Sequence, residues 1–262
     1  MIRVGIGGWT YEPRRGSFYP DKLPQKRELE YASRKLTSIE INGTYYGAQK
    51  PESFARWHDE TPDDFVFSVK GPRFTTNRRV LAEAGTSIER FVTGGVLELK
   101  QKLGPINWQL LPTKQFDPDD FAAFLKLLPA EVDGRALHHV VEVRHPSFVC
   151  AEFVTLLREH RVATVVADHE AHPLIADATA PFIYVRLQRA SEDEVTGYSR
   201  AALAKWAARC RAWAKGEQPA DMPTLVKERK APRQRDVFVY MINGHKPKAP
   251  AAAMALIARL SA

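Results

Sequence analysis

Six ionisable residues stand where charge is costly. Glu40, Lys70, Glu142, Arg144, Asp168 and Arg186 each close a short apolar run. Charged groups belong outside a core unless they are paired, so a set of six at such ends needs a use. Paired carboxylates are the equipment of general acid and base catalysis. Lysine and arginine suit anionic oxygens and developing negative charge. Glu142 reads as the acid or base, Glu40 or Asp168 as the second carboxylate, and Lys70, Arg144 and Arg186 as anion holders, with Lys70 among the catalytic candidates. Beside Lys70 the Glu142 carboxyl would keep a low pKa and act as a base or ligand; among aromatics it would be raised and act as an acid. Either way, removing its charge is expected to harm function more than folding. The plain alternative is a set of ion pairs that only plugs one end of the fold.

The loops add a second layer. GGWTYEPRRGSFYP carries Trp9, Tyr11, Arg14, Arg15, Phe18 and Tyr19, NGTYY carries Tyr45 and Tyr46, and GPRFTTNRR carries Arg73, Arg78 and Arg79. Flat rings beside guanidinium groups suit stacking on a sugar or base and pairing with phosphate; packing of long loops is the other reading. The substrate-binding candidates are Trp9, Tyr19, Asn42, Tyr46, Arg73, Gln109, Arg144, His145, Tyr184, Arg186 and Asn243. Glu40, Glu142, His145 and Asp168 offer donors for a divalent metal. No His-x-His, His-Glu-x-x-His or cysteine cluster accompanies them, so a metal is possible but not favoured and no ligand set is assigned. The chain contains neither a Gly-x-Ser-x-Gly elbow nor a P-loop, which argues against a serine hydrolase or an NTPase.

These groups need a frame that brings strand ends together. Strand-like runs occupy Arg3–Gly7, Ser38–Asn42, Phe65–Lys70, Ile106–Leu110, His139–Val143, Ala163–Ala167, Phe182–Leu187 and Val237–Ile242. Several are near-continuously apolar, as strands buried on both faces should be. Helical patterns fall at Gln25–Lys35, Pro51–Glu60, Thr86–Leu103, Pro118–Leu128, Ala151–Glu159, Arg200–Lys215 and Ala249–Leu260, with Asp117 as an N-cap. Alternation of strand and helix means a parallel sheet. Eight strands without a Gly-x-Gly-x-x-Gly fingerprint favour a closed α/β (β/α)8 TIM-type barrel over an open nucleotide-binding sheet. Asp168–Ala180 is too short for a full helix, so the sixth unit is irregular. The Pro- and Lys-rich stretch Gly216–Arg235 reads as a long loop on the face away from the site.

The chain has 262 residues, within the range of one barrel domain spanning 1–262, and its 44% hydrophobic and 26% charged residues are a globular composition. Cys150 and Cys210, both in helix-like segments, form no Cys-x-x-Cys pair. Two reduced thiols, no secretory start and no long apolar run are the pattern of a cytoplasmic protein without a membrane span. A net charge of +7 favours anionic partners, nucleic acid among them. Oligomeric state is not legible.

The motifs GGWTYEPRRGSFYP, SIEINGTYY, FSVKGPRFTT, LGPINWQLLPTKQFD, VEVRHPSF, TGYS and DVFVYMIN, in that order, resemble the YecE-like proteins, catalogued as domain of unknown function seventy-two. The resemblance covers nearly the whole chain. It implies a TIM-type barrel and no established activity. It sets Trp9, Tyr19, Glu40, Asn42, Thr44, Lys70, Gln109, Glu142, Arg144, His145, Asp168 and Tyr184 on the family's recurrent positions. Gly8 and Gly43 stand where serine is common, and Gly244 and HKPKAP depart from the usual ending, so no role is carried to the last loop. The resulting expectation is an enzyme acting on an anionic phosphate- or sugar-bearing substrate by carboxylate acid/base chemistry, of hydrolase or isomerase type, with phosphodiester hydrolysis foremost. The rival is a non-catalytic barrel that binds nucleic acid or a metabolite.

Overall fold

The computed structural model describes residues 1–227 and 234–261. Eight parallel strands close into a barrel: β1 Ile2–Gly7, β2 Ser38–Ile41, β3 Val66–Lys70, β4 Leu103–Gln109, β5 His139–Glu142, β6 Ala163–Asp168, β7 Phe182–Leu187 and β8 Asp236–Met241. They are ordered β1-β8-β7-β6-β5-β4-β3-β2 around the ring, with β1 pairing both β8 and β2. Helices α1 Glu28–Ser33, α2 Pro51–Asp59, α3 Gly85–Thr93, α4 Pro118–Leu127, α5 Ala151–His160, α6 Arg200–Ala214 and α7 Ala249–Ser261 wrap the outside. No helix stands between β6 and β7, as the short Asp168–Ala180 segment requires.

Alternation along each strand divides the core in two. One side chain in two meets the helices. Val4, Ile6, Ile39, Ile41, Phe67 and Val69 pack in one outer cluster with Leu29, Trp213 and Leu256, while Ile106, Trp108, Val141 and Val143 pack with Ile88, Phe121, Phe124 and Phe153 in another. The other set fills the barrel: Val140, Ala163, Val165, Phe182, Tyr184, Phe238 and Tyr240 form the inner cluster. Burying each large apolar side chain contributes about 1.5–3 kcal/mol, so the outer clusters fix the barrel and leave its inner upper end free for polar groups. Asp117 caps α4, accepting from the amides of Asp119 and Asp120 at 3.1 Å.

Three local expectations are corrected. The helix expected over Thr86–Leu103 ends at Thr93, because Gly94 and Gly95 follow and Gly95 takes φ +112°; a 3-10 stretch, Val96–Lys102, leads into β4. β4 therefore begins at Leu103, before Pro105, and Pro105 is tolerated where the β3–β4 register shifts. Cys150 is not helical: it is the extended residue before α5. The loop read over 216–235 is tied at its described parts, where the Asp177 carboxylate accepts from the amides of Leu225 and Val226 at 2.9 Å. Residues 228–233 of that loop lie outside the described residues.

Candidate functional site

The polar floor follows from strand parity. Ser38 and Glu40 on β2, Ser68 and Lys70 on β3, and Tyr184 and Arg186 on β7 are each two residues apart, so each pair shares the inner face. Ser38 Oγ meets the Tyr240 hydroxyl at 2.8 Å and Ser68 Oγ meets the Tyr184 hydroxyl at 2.7 Å. Tyr184 in turn donates to Glu40 Oε2 at 2.6 Å. Burial first, and the Glu40 charge next, push the Tyr184 phenol well above its ordinary value, so it stays a donor.

Above this floor Arg186 joins two carboxylates. Its Nη2 lies 3.0 Å from Glu40 Oε1 and its Nη1 binds Glu142 Oε2. All three side chains are buried. Arg144 clasps the other Glu142 oxygen, with Nε at 3.0 Å and Nη2 at 2.8 Å from Oε1. Burial alone would raise the Glu142 carboxyl, but Arg186, Arg144 and Lys70 together outweigh it and hold the group at about 2. Glu142 is therefore a fixed negative charge and not a proton donor near neutral pH. The Glu142–Arg144 pairing across one strand face agrees with their spacing.

Lys70 is held differently. Its Nζ donates to Gln109 Oε1 at 2.6 Å and stands 4.0 Å from the Tyr45 ring centroid. Gln109 is itself fixed by its Nε2, which donates to the Tyr45 hydroxyl at 3.3 Å. Burial, and then Arg186 nearby, lower the Lys70 ammonium to about 8, against the smaller opposing pull of Glu40 and Glu142. Three cations thus face two carboxylates in this cluster, one positive charge in excess, and Arg14 and Lys246 add further positive charge to the lining above it.

A cavity of about 600 Å³ opens above these groups, a size that suits a small molecule. Lys70, Gln109, Arg144 and Arg186 form its base, and Trp9, Tyr11, Tyr46 and Trp57 its aromatic side. Trp9 meets Trp57 edge-on at 5.1 Å, which holds the indole upright. Asn42 and Asn243 also line the cavity; Asn243 is aimed by its bond to Gln188 Oε1 at 2.9 Å. Gly7 lacks a side chain for a local reason: a Cβ there would stand 2.8 Å from Asn42 Nδ2 and 3.0 Å from Ile242 Cδ1.

The structure brings together Trp9, Asn42, Tyr46, Lys70, Gln109, Arg144, Arg186 and Asn243 at the cavity, with Glu40 and Glu142 paired just beneath. Asp168 does not join them. Its partner across β6–β7 is Leu187, in the outer cluster, whereas Ala167 partners Arg186. Parity therefore turns Asp168 outward, into a separate cleft with Arg189, Tyr198 and Arg209, where it accepts from the Tyr198 hydroxyl at 3.3 Å. Tyr19 is buried against Phe18 and Tyr31, and its hydroxyl donates to the Trp9 carbonyl at 2.7 Å, bracing that loop. Tyr184 belongs to the floor, bonded to Ser68 and Glu40, and does not line the cavity. His145 accepts the Ser147 amide at 3.2 Å and caps the short turn Pro146–Phe148. Arg73 is exposed outside the cavity, 5.8 Å from the Tyr46 ring centroid.

The basic loops are also less free than expected. Arg14 is buried and donates to the Gly8 carbonyl at 2.8 Å, Arg15 pairs with Glu28 at 3.3 Å, and Arg78 bonds the Glu83 carbonyl at 2.7 Å. Sequence reasoning missed Trp57 and Lys246 as cavity residues: Trp57 sits in the helical Pro51–Glu60 pattern, where an aromatic reads as core. Among the described residues no three or more His, Cys, Asp or Glu side chains gather in a way that could hold a metal ion. None of the described helices is long and apolar enough to cross a membrane.

A closed (β/α)8 barrel with a cationic, aromatic-sided mouth at its strand carboxyl ends is the architecture of a site-bearing TIM-type protein. The family model "Protein of unknown function DUF72" matches residues 3–262, and the chain belongs to that family. It is 34% identical over 153 residues to the UPF0759 protein YecE of Escherichia coli K12, a stretch that is 56% of this chain and 50% of YecE, so the match spans about half that relative's length. The UPF0759 protein YunF of Bacillus subtilis is 31% identical over 70 residues, 27% of this chain and 24% of YunF. Among solved structures, a DUF72 family protein of Thermotoga maritima superposes with a TM-score of 0.78 at 23% identity, covering 100% of both chains. A DUF72 family protein of Enterococcus faecalis gives 0.70 at 18% identity, covering 100% of this chain and 98% of that one. These likenesses agree on the fold.

Proposed function

We propose that the barrel mouth binds a small anionic molecule bearing a phosphate and a sugar or flat ring, and that the protein acts on it as an enzyme. The observation that carries this reading is the uneven charge: three cations against two carboxylates, with Lys70 and Arg144 on the cavity wall. A buried excess cation is costly unless an anion completes it. Trp9 and Tyr46 supply faces for the rest of the ligand. Glu40 and Glu142 hold arginines in place, so proton transfer at the mouth falls to Lys70. Among the described residues no carboxylate lines the cavity, and hydrolysis of a phosphodiester is commonly served by a carboxylate that activates water. Isomerase- or lyase-type chemistry therefore suits the site better than the phosphodiester hydrolysis expected from charge alone. The nucleic-acid reading loses support with Arg14, Arg15 and Arg78 engaged internally.

Titration calorimetry with inorganic phosphate and with ribose 5-phosphate tests the proposal. Both should bind, the sugar phosphate more tightly because it also meets Trp9 and Tyr46. Arg144→Met removes a charge-assisted bond of about 1.5–3 kcal/mol and should weaken binding roughly tenfold to a hundredfold. Asp168→Asn, in its separate cleft, should leave it unchanged. Absence of binding to either probe at low salt, or loss caused by Asp168→Asn alone, would overturn the assignment.

A further inference from the structure

The cluster at the cavity base already has two guanidinium groups, Arg144 and Arg186, and arginine stays charged under protein conditions. The third cation is a lysine, which can become a neutral amine. Lys70 makes no ion pair among the described residues. The charged groups facing it are Glu40 on β2, Glu142 at the end of β5, Arg144 two residues beyond it, and Arg186 on β7, with the Tyr45 ring below it and Gln109 from β4 beside it. Its side chain is buried but its head lines the cavity. A desolvated amine beside other cations, with no carboxylate in contact, is the arrangement that activates a lysine nucleophile.

We propose that Lys70 attacks the carbonyl carbon of an aldehyde- or ketone-bearing anion and forms a protonated Schiff base; the anionic part of this assignment rests on the binding reading above. The neutral amine forms the N–C bond as the C=O π bond breaks, and one proton passes from nitrogen to oxygen to give the carbinolamine. The C–O bond then breaks, the oxygen leaves as water with one proton drawn from solvent, and nitrogen carries the positive charge of the iminium. No oxidant or reductant enters. The iminium keeps one N–H, which Gln109 Oε1 can still accept, and the same single positive charge that the ammonium placed beside Glu40 and Glu142. The floor's charge balance is thus the same before and after the covalent step. The lowered Lys70 pKa of about 8 supports this: near pH 7.5 its neutral fraction is roughly two hundredfold that of an exposed lysine.

Pyridoxal 5′-phosphate, which joins an aldehyde to a phosphate, is the probe. The full chain is incubated with it and reduced with sodium borohydride; intact mass and peptide mapping then locate the adduct. One adduct per chain on Lys70 is expected, forming faster as the pH rises through about 8 and competed by inorganic phosphate. Lys70→Arg keeps a positive charge but has no nucleophilic amine and should lose the adduct; Lys70→Met, which removes the charge as well, should lose the adduct and most of the phosphate binding. An adduct spread over surface lysines, or one that persists in Lys70→Arg, overturns the nucleophile. Phosphate binding without a Lys70 adduct removes this inference and leaves the anion site standing; an adduct on Lys70 without phosphate binding does the reverse.

Discussion

Replacing Glu142 by glutamine removes one of the two negative charges that hold the floor together. Arg186 would keep Glu40, but Arg144 would lose its ionic partner, and an amide N–H would face one guanidinium where an oxygen now accepts. Breaking a buried ion pair by removing one partner costs about 3–5 kcal/mol. The titration gives a similar figure: a carboxyl moved from 4.5 to about 2 corresponds to about 3 kcal/mol. Glu142 has a folded pKa below its unfolded one. Its contribution is therefore full above the unfolded value and is lost as the pH falls through 4.5 towards about 2. Urea unfolding of wild type and Glu142→Gln should differ by about 3 kcal/mol at pH 7, with the gap closing over that acid window. In a barrel of this size the melting temperature should drop by roughly 6–12 °C. This reverses the expectation, drawn from the sequence, that the substitution harms function more than folding. Equal stability of the two proteins at pH 7, or a gap that does not change with pH, would refute the ion-pair argument and return Glu142 to a catalytic role.

Tyr184→Phe should cost about 1.5–3 kcal/mol, the range for a bond to a charged acceptor, because Glu40 Oε2 would keep only the Asn107 amide at 3.5 Å; phosphate affinity should stay within about twofold, and a large loss would make Tyr184 a ligand contact. His139 is neutral, accepting from Trp108 Nε1 at 3.1 Å, so its Nε2 donates to the Pro129 carbonyl at 2.8 Å. Burial lowers it to about 4, so the folded protein resists protonation and stability falls as the pH drops from 6.5 towards about 4, by about 3 kcal/mol in all. His139→Gln should flatten that part of the stability profile; an unchanged slope would exclude His139 as its source.

The barrel was legible because apolar runs and helical patterns alternate, and seven of the eight strand-to-strand segments or tails are long enough for a helix. The break at Gly94–Gly95 was the missed punctuation: glycine at φ +112° ends α3 although the apolar pattern continues. The site was legible where residues two apart share a face, as with Glu40 above Ser38, Lys70 above Ser68 and Glu142 with Arg144. It failed at β6, where Asp168 was taken for its place at a strand end. Counting from Ala163 and Val165, both inside, gives Ala167 as the inward residue and sends Asp168 outward. Tyr19 and Tyr46 look alike as loop aromatics; one is buried and the other exposed, and only the packing of Phe18 and Tyr31 around Tyr19 separates them. Trp57 could not be read as a cavity residue, since its approach to Trp9 joins two segments far apart in the chain.

Arg186 also bears on how the barrel closes. Glu40 belongs to the first four strands, while Glu142 and Arg186 belong to the last four, so one guanidinium clasps the two halves of the chain across the mouth. A polypeptide cut between β4 and β5 would leave the first half with Glu40 deprived of its buried counter-ion, and the second half with two arginines competing for Glu142. Neither fragment could bury its share of the interior without stranding charge. Sealing the ring and neutralising the floor are therefore coupled, which disfavours a half-assembled barrel.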